Sequence, residues 1–188
     1  MSIPSVTAVS QAPSHTFSKS VVGAITLVAG LGVQNDAHAG ATVKHTSLAA
    51  HDPSSPNLRQ VHLIPYELLY ELKGKGFDIT YGQPRRQLGE NITTHGLDLA
   101  ALPRGTRLHF PAGGGGAVVE LTGLRQPGPG IERFKPGLLQ QVCYQARDGR
   151  VVRRAGVMGV VVAGGCVRAG DGVLVAMPAL PHVGLGPV

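Results

Sequence analysis

Apolar residues in this chain come in short runs, and glycine, proline, asparagine and aspartate cut between them. Ser5–Ser10 alternates weakly and predicts a first strand. Ala24–Val28 is a short β-type run that stops at a Gly30-Leu31-Gly32 turn. Residues 46–58, with Asp-Pro, Ser and Asn punctuation, read as loop. Pro65–Gly74 reads as a helix, with Pro65 at its first position and Gly74 at its C-terminal cap. Leu68, Leu69 and Leu72 then form its inner face, with Glu67, Glu71 and Lys73 outward. Tyr81–Gln87 reads as loop, and Gly96–Leu102 as a turn with a short helical piece.

Thr106–Phe110 and Ala117–Leu121 predict the two strands of a hairpin joined by a glycine-rich link. Lys135–Ala146 predicts a second helix ended by Gly149, with Leu138, Leu139, Val142 and Cys143 on its apolar stripe. Val157–Ala163, Cys166–Arg168 and Val173–Met177 read as closing strands. Many short strands with Gly/Pro turns and two short helices predict a mostly-β fold, a small barrel with helical decoration.

Composition agrees. With 27 glycines and 14 prolines in 188 residues, turns and short strands are favoured over long helices. The length suits one domain with its own core. An N-terminal segment (1–14) holds the first strand, and a tail follows at 179–188. Trp is absent and aromatics are few, so Val, Leu, Ile and Ala must build the core.

Formal charge is +6, but the basic residues are scattered. The densest group, Arg147, Arg150, Arg153 and Arg154, has no interleaved aromatics, so no stacking platform for nucleic acid is indicated. The expectation is neither a nucleic-acid nor a membrane partner. Val21–Val33 resembles the apolar core of a secretory signal, with Ala37-His38-Ala39 as a cleavage site. Three glycines interrupt it and Asp36 stands in the cleavage region, so strand and turn of the mature protein are expected. The run is too short to span a bilayer. Two cysteines, Cys143 and Cys166, form no disulfide framework, which points to a reducing, cytoplasmic setting.

Three places can carry chemistry. Asp36 and His38, two apart, share a face if the chain there is extended, and with His45 they offer metal or polar-ligand donors. The spacing is looser than a zinc site wants, and a turn Asp beside a surface His fits the same residues. Gly89-Glu90-Asn91 offers backbone N–H and a side-chain amide to a ligand, or a local turn. Arg125, followed by Pro127-Gly128-Pro129-Gly130, presents a planar fork suited to phosphate or carboxylate, with Arg133 and Lys135 near. An ordinary basic loop fits as well. Neither cysteine carries the marks of a nucleophile: Cys143 lies on a predicted core stripe, and Cys166 in a Gly-Gly-Cys-Val turn near Arg168.

Taken in order, HTFSK (15–19), GLGVQNDAHAG (30–40), NLRQVHLIPYELL (57–69), LGENITTHGLDL (88–99), TGLRQP (122–127), FKPGLL (134–139) and AGVMGVVVAGG (155–165) resemble the MOSC domain, the C-terminal domain of molybdenum cofactor sulfurase. The resemblance covers residues 15–178 and implies a β-barrel fold there, with binding of molybdenum cofactor, or carriage of sulfur supplied by a cysteine desulfurase. A redox partner is the other implied companion. Pyridoxal phosphate belongs to the desulfurase of fused relatives, and none is expected here.

By position, the resemblance makes Asp36 and His38 candidate proton-relay residues. It makes Glu90, Asn91, Arg125 and Gly128 candidate cofactor-binding residues. The family's thiol follows a proline in a motif of the type T-G-x-R-x-P-C. Here the motif runs Thr122-Gly-Leu-Arg-Gln-Pro-Gly128, so no thiol is present. The metal ligands are therefore unknown. A pterin-binding module without thiol chemistry is the competing expectation. Asn35 also departs, standing where the family usually has glycine.

Overall fold

A computed structural model describes residues 3–44, 50, 52–83, 87–111 and 116–188. His45, part of the Tyr81–Gln87 loop and most of the glycine-rich hairpin link lie outside the described residues.

Thirteen strands and three short helices are described. The strands are β1 (Ser5–Gln11), β2 (Ser20–Val22), β3 (Ala24–Val28), β4 (Gly32–Val33), β5 (Val61–Pro65), β6 (Ile92–His95), β7 (Arg107–Phe110) and β8 (Ala117–Leu124). After them come β9 (Cys143–Gln145), β10 (Val151–Arg153), β11 (Val157–Ala163), β12 (Gly165–Arg168) and β13 (Leu174–Ala176). The helices are α1 (Tyr66–Gly74), α2 (Pro129–Phe134) and α3 (Leu138–Val142), and a 3-10 turn spans Leu99–Ala101.

Eight strands form one curled sheet in the order β13-β7-β8-β11-β5-β6-β1-β2, a half-barrel. A three-stranded sheet, β12-β3-β4, packs against it. The main core lies between the two: Val6, Ile25, Leu27, Leu63, Leu108, Phe110, Val119 and Val161 are among its buried residues. The signal-like run Val21–Val33 is thus built into β2, β3 and β4, and its Ile25, Leu27 and Val33 are core. No helix among the described residues is long and apolar enough to cross a membrane.

Strand β5 explains how a second layer arises. Its pleat sends Val61 and Leu63 into the half-barrel core and Ile64 to the opposite side. That opposite side is covered by α1, α2 and α3, which bury Leu68, Leu69, Leu72, Ile131, Leu138 and Val142 around Ile64. Strand β5 runs parallel to β6, and α1 follows β5 in the crossover between them. His62 shares the face of Ile64, so one polar residue in an apolar strand points toward the helical layer.

Several expectations need correcting. The first helix keeps Gly74 as its last helical residue: Lys75 is its C-cap, and the left-handed residue is Gly76, at φ +91°. Pro65 is the N-cap, one position earlier than expected. The second helix is much shorter than Lys135–Ala146. It ends at Val142, and Cys143–Gln145 instead pairs with Val151–Arg153 as a hairpin whose turn uses Gly149 at φ +83°. The pairing with β10 overrides the helical spacing. Cys143 is accordingly half-buried on a strand, outside the core. Cys166 lies on β12 opposite Thr26, in the closing strand expected at Cys166–Arg168, so no Gly-Gly-Cys-Val turn forms there. Helix α2 is a further departure: Pro129 stands at its first position, just after Pro127 and Gly128, and the Pro-Gly alternation reads as loop.

The last residues pack on the half-barrel. Leu124 N donates to Gly186 O at 2.7 Å, and Val188 N donates to Leu124 O at 3.1 Å.

Candidate functional site

Where the β1–β2 loop, the approach to β5, the loop before β6 and the exit of β8 converge, they leave a cleft of about 640 Å³. Thr16, Phe17 and Lys19 line it from the first loop, and His38, Arg59 and His62 from the second side. Gly89, Asn91, Arg125, Gly128 and residues of α2 complete it.

The turn at 34–40 supplies the electrostatic anchor. Asn35 adopts φ +62°, a left-handed conformation that Asn tolerates better than other side chains. This explains why glycine or asparagine serves there. Asp36 and His38 therefore sit in a turn, the reading that competes with a shared strand face in the sequence.

The Asp36 carboxylate is fully occupied. Its Oδ2 accepts from Lys19 Nζ at 2.7 Å, Asn91 Nδ2 at 3.0 Å and Ala12 N at 3.1 Å. Its Oδ1 accepts from His38 N at 3.0 Å and faces His38 Nδ1 at 3.1 Å. A carboxylate only accepts, so that ring nitrogen carries the proton. Burial alone raises the Asp36 carboxyl, but the bonds from His38 and Lys19 outweigh it and hold it well below the usual range. Burial pulls the Lys19 ammonium down, partly offset by Asp36. Lys19 is almost wholly buried yet reaches the cleft wall.

Asn91 is equally committed. Its Oδ1 accepts from His62 N at 3.1 Å, and its Nδ2 donates to Ser10 O at 3.1 Å as well as to Asp36. It ties β1, β5 and the Asp36 turn together beneath the cleft. Glu90 does not line the cleft: it is buried, with Oε2 accepting from Leu88 N at 2.9 Å, and burial raises its carboxyl. Between Leu88 and Glu90, Gly89 holds φ +86° with its backbone against Phe17, where an added Cβ lies 2.5 Å from the Phe17 carbonyl oxygen.

Arg125 leaves the end of β8 with its N–H on Gly156 O at 3.0 Å. Its Nη1 donates to Leu88 O at 2.5 Å. Burial lowers its guanidinium to about 10, against the pull of Glu90, so it stays charged at neutral pH. His62 donates from Nε2 to Ala155 O at 2.8 Å, and burial together with Arg125 keeps its ring neutral. Gly128 caps α2 at φ −121°, and a Cβ there meets nothing within 4 Å.

The structure thus brings Asp36, His38, Asn91, Arg125 and Gly128 together and leaves Glu90 behind the wall. Three cleft residues were not singled out in the sequence: Lys19, Arg59 and His62. Arg59 is the most telling, since its half-buried guanidinium has no hydrogen-bond or ion-pair partner among the described residues. Lys19, Arg59 and Arg125, with Arg133 at the rim, surround a volume that no acidic side chain among the described residues lines. Such a site attracts anions and offers donors to phosphate or carboxylate oxygens.

The architecture is thus a mostly-β half-barrel with a loop-walled cationic cleft. The chain belongs to the MOSC domain family, whose family model matches residues 51–174. That match takes in Arg59, His62, Asn91, Arg125 and Gly128. In structure the chain is similar to the YuaD protein from Bacillus subtilis, at TM-score 0.68 and 21% identity over 94% of this chain and 98% of that one. It is also similar to YiiM from Geobacillus stearothermophilus, at TM-score 0.59 and 14% identity over 96% and 79%. For YiiM from Escherichia coli the figures are 0.58 and 18% over 95% and 73%. No curated protein sequence matches it.

Proposed function

We propose that the cleft binds molybdenum cofactor, or a related pterin, through the ligand's anionic part. The observation that carries this is the convergence of Lys19, Arg59, Arg125 and Arg133 on a cleft without a lining carboxylate among the described residues. Fit is partial. The cations and the open donors of Arg59 and Arg125 suit a phosphate monoester. A ligand for the metal is another matter. Gly128 has no side chain to give, and among the described residues no three His, Cys, Asp or Glu gather as a metal site. Cys143 and Cys166 do not line the cleft. No step through the metal, and no persulfide chemistry, is therefore assigned to this chain.

Within that role, Arg59 and Arg125 hold the anion, Lys19 adds charge from the cleft wall, and Asp36 keeps Lys19 and His38 in place. The second reading is a binding module without catalysis, and Gly128 is the observation that favours it. The free cysteines fit a cytoplasmic protein.

The test is molybdenum and pterin content after purification from cells that make the cofactor. Pterin in the wild type, lost in Arg59→Ala and Arg125→Ala, supports the proposal. Protein free of pterin in every form overturns it. Molybdenum retained only by Gly128→Cys identifies the wild type as the non-catalytic module. A cysteine desulfurase belongs in the assay only for that variant, which alone has a thiol to load.

A further inference from the structure

Behind the cleft, across the segment Arg153–Val157, lies a second cavity of about 440 Å³. Its apolar wall includes Leu68 of α1, Leu97 and Leu99 beside the 3-10 turn, and Val157 of β11. Pockets of roughly 300–1,000 Å³ suit small organic molecules. The charges on its rim are already answered. Arg154 Nη1 donates to Glu71 Oε1 at 3.0 Å, and Arg153 Nε donates to Gln126 Oε1 at 3.0 Å. Glu67 Oε1 accepts from Gly96 N at 2.7 Å, and Asp98 Oδ1 accepts from Ala101 N at 3.3 Å. A charged ligand must compete with these pairs, whereas a neutral apolar one leaves them intact.

The same short segment also holds the cleft. Ala155 O accepts from His62 Nε2, Gly156 O accepts from Arg125 N, and Arg153 grips Gln126. His62, Arg125 and Gln126 all line the cleft. There is no slack between the two sites. Gly156 holds φ +98°, and a Cβ there lies 2.4 Å from Leu63 O and 2.6 Å from His62 Nε2. A ligand pressing on Gly156 and Val157 must move the groups that fix His62 and Arg125.

We propose that this cavity binds a neutral, apolar small molecule and that its occupancy is transmitted to the cleft through Arg153–Gly156. The effect on anion affinity rests on the function proposed above, while the cavity and its link to His62 do not. Coupling between two binding sites is reciprocal.

The full chain has no Trp, so indole fluorescence can be read with no tryptophan background. Indole is expected to bind saturably, and the His62 ring resonances to shift along the same isotherm. Inorganic phosphate affinity should change by about fivefold or more with indole present. Ala100→Phe, at an exposed position on the cavity wall, should abolish indole saturation with circular dichroism unchanged. Non-saturating indole emission in the wild type, or equal binding by a folded Ala100→Phe, removes the site. Saturable binding with His62 unmoved removes the link. If phosphate fails to bind while indole and His62 respond, the proposal stands and the anion function of the cleft falls.

Discussion

Asp36 shows how one side chain can serve several elements at once. It takes five contacts from Ala12, Lys19, His38 and Asn91, three of them from residues outside its own turn. Replacing it leaves the Lys19 ammonium buried without a counter-charge. Removing one partner of a buried pair costs about 3–5 kcal/mol, so Asp36→Asn should lower unfolding stability by that much in urea titrations. The double variant Lys19→Met/Asp36→Asn should recover part of the loss. The same carboxylate sets an acid limit. Its folded pKa lies below the unfolded value, so its stabilisation is complete above that value, about 3.9. It is lost as pH falls further, through the folded pKa. Between about pH 4 and pH 2 the wild type should lose stability more steeply than Asp36→Asn. At Gly128 the backbone is ordinary and the space around a Cβ is open, so Gly128→Cys should change stability by no more than about 0.5 kcal/mol. A larger loss in thermal unfolding would mean that the missing thiol is a packing necessity.

At the scale of elements, what matters is how strands and loops were recognised. The hairpin β7–β8, the strand Ala24–Val28 and the inner face of α1 follow from alternation and helical spacing, and all three appear as expected. Local pattern failed where a partner decided. Leu138–Ala146 carries helical spacing, yet Cys143–Gln145 gains a strand partner in β10 and leaves the helix. Helix α2 escaped notice because its first turn is written in Pro and Gly. The loop Leu88–Asn91 is the element on which the site turns, since Gly89 admits Phe17 against its backbone. Gly89→Ala combines a clash with a left-handed φ, so it should cost more than about 1 kcal/mol and weaken phosphate binding. Calorimetry on the folded variant checks both.

For the whole molecule, charge is the property that structure reinterprets. The chain carries +6, and by sequence its cations look scattered. Folding pairs some of them: Arg150 with Asp148, Arg107 with Glu120 and Arg154 with Glu71. It gathers Lys19, Arg59, Arg125 and Arg133, which are far apart in the chain, on one cleft. Anion affinity there should fall roughly tenfold between about 0.1 M and about 1 M salt, as the Debye length drops from about 10 to about 3 Å. Phosphate titrations at two ionic strengths measure it, and an unchanged affinity would point away from these cations. By itself the sequence determined the mostly-β class, most strands, the first helix and the family, because alternation, turn residues and ordered motifs are local or linear properties. Only the tertiary structure decided that Glu90 is sealed behind the wall while Arg59, Lys19 and His62 face the cleft. A residue's exposure depends on what packs over it. His62 looks like a strand residue until α2 and Arg125 define its surroundings, and Arg59 looks like any loop arginine until the fold leaves its guanidinium without an acceptor among the described residues.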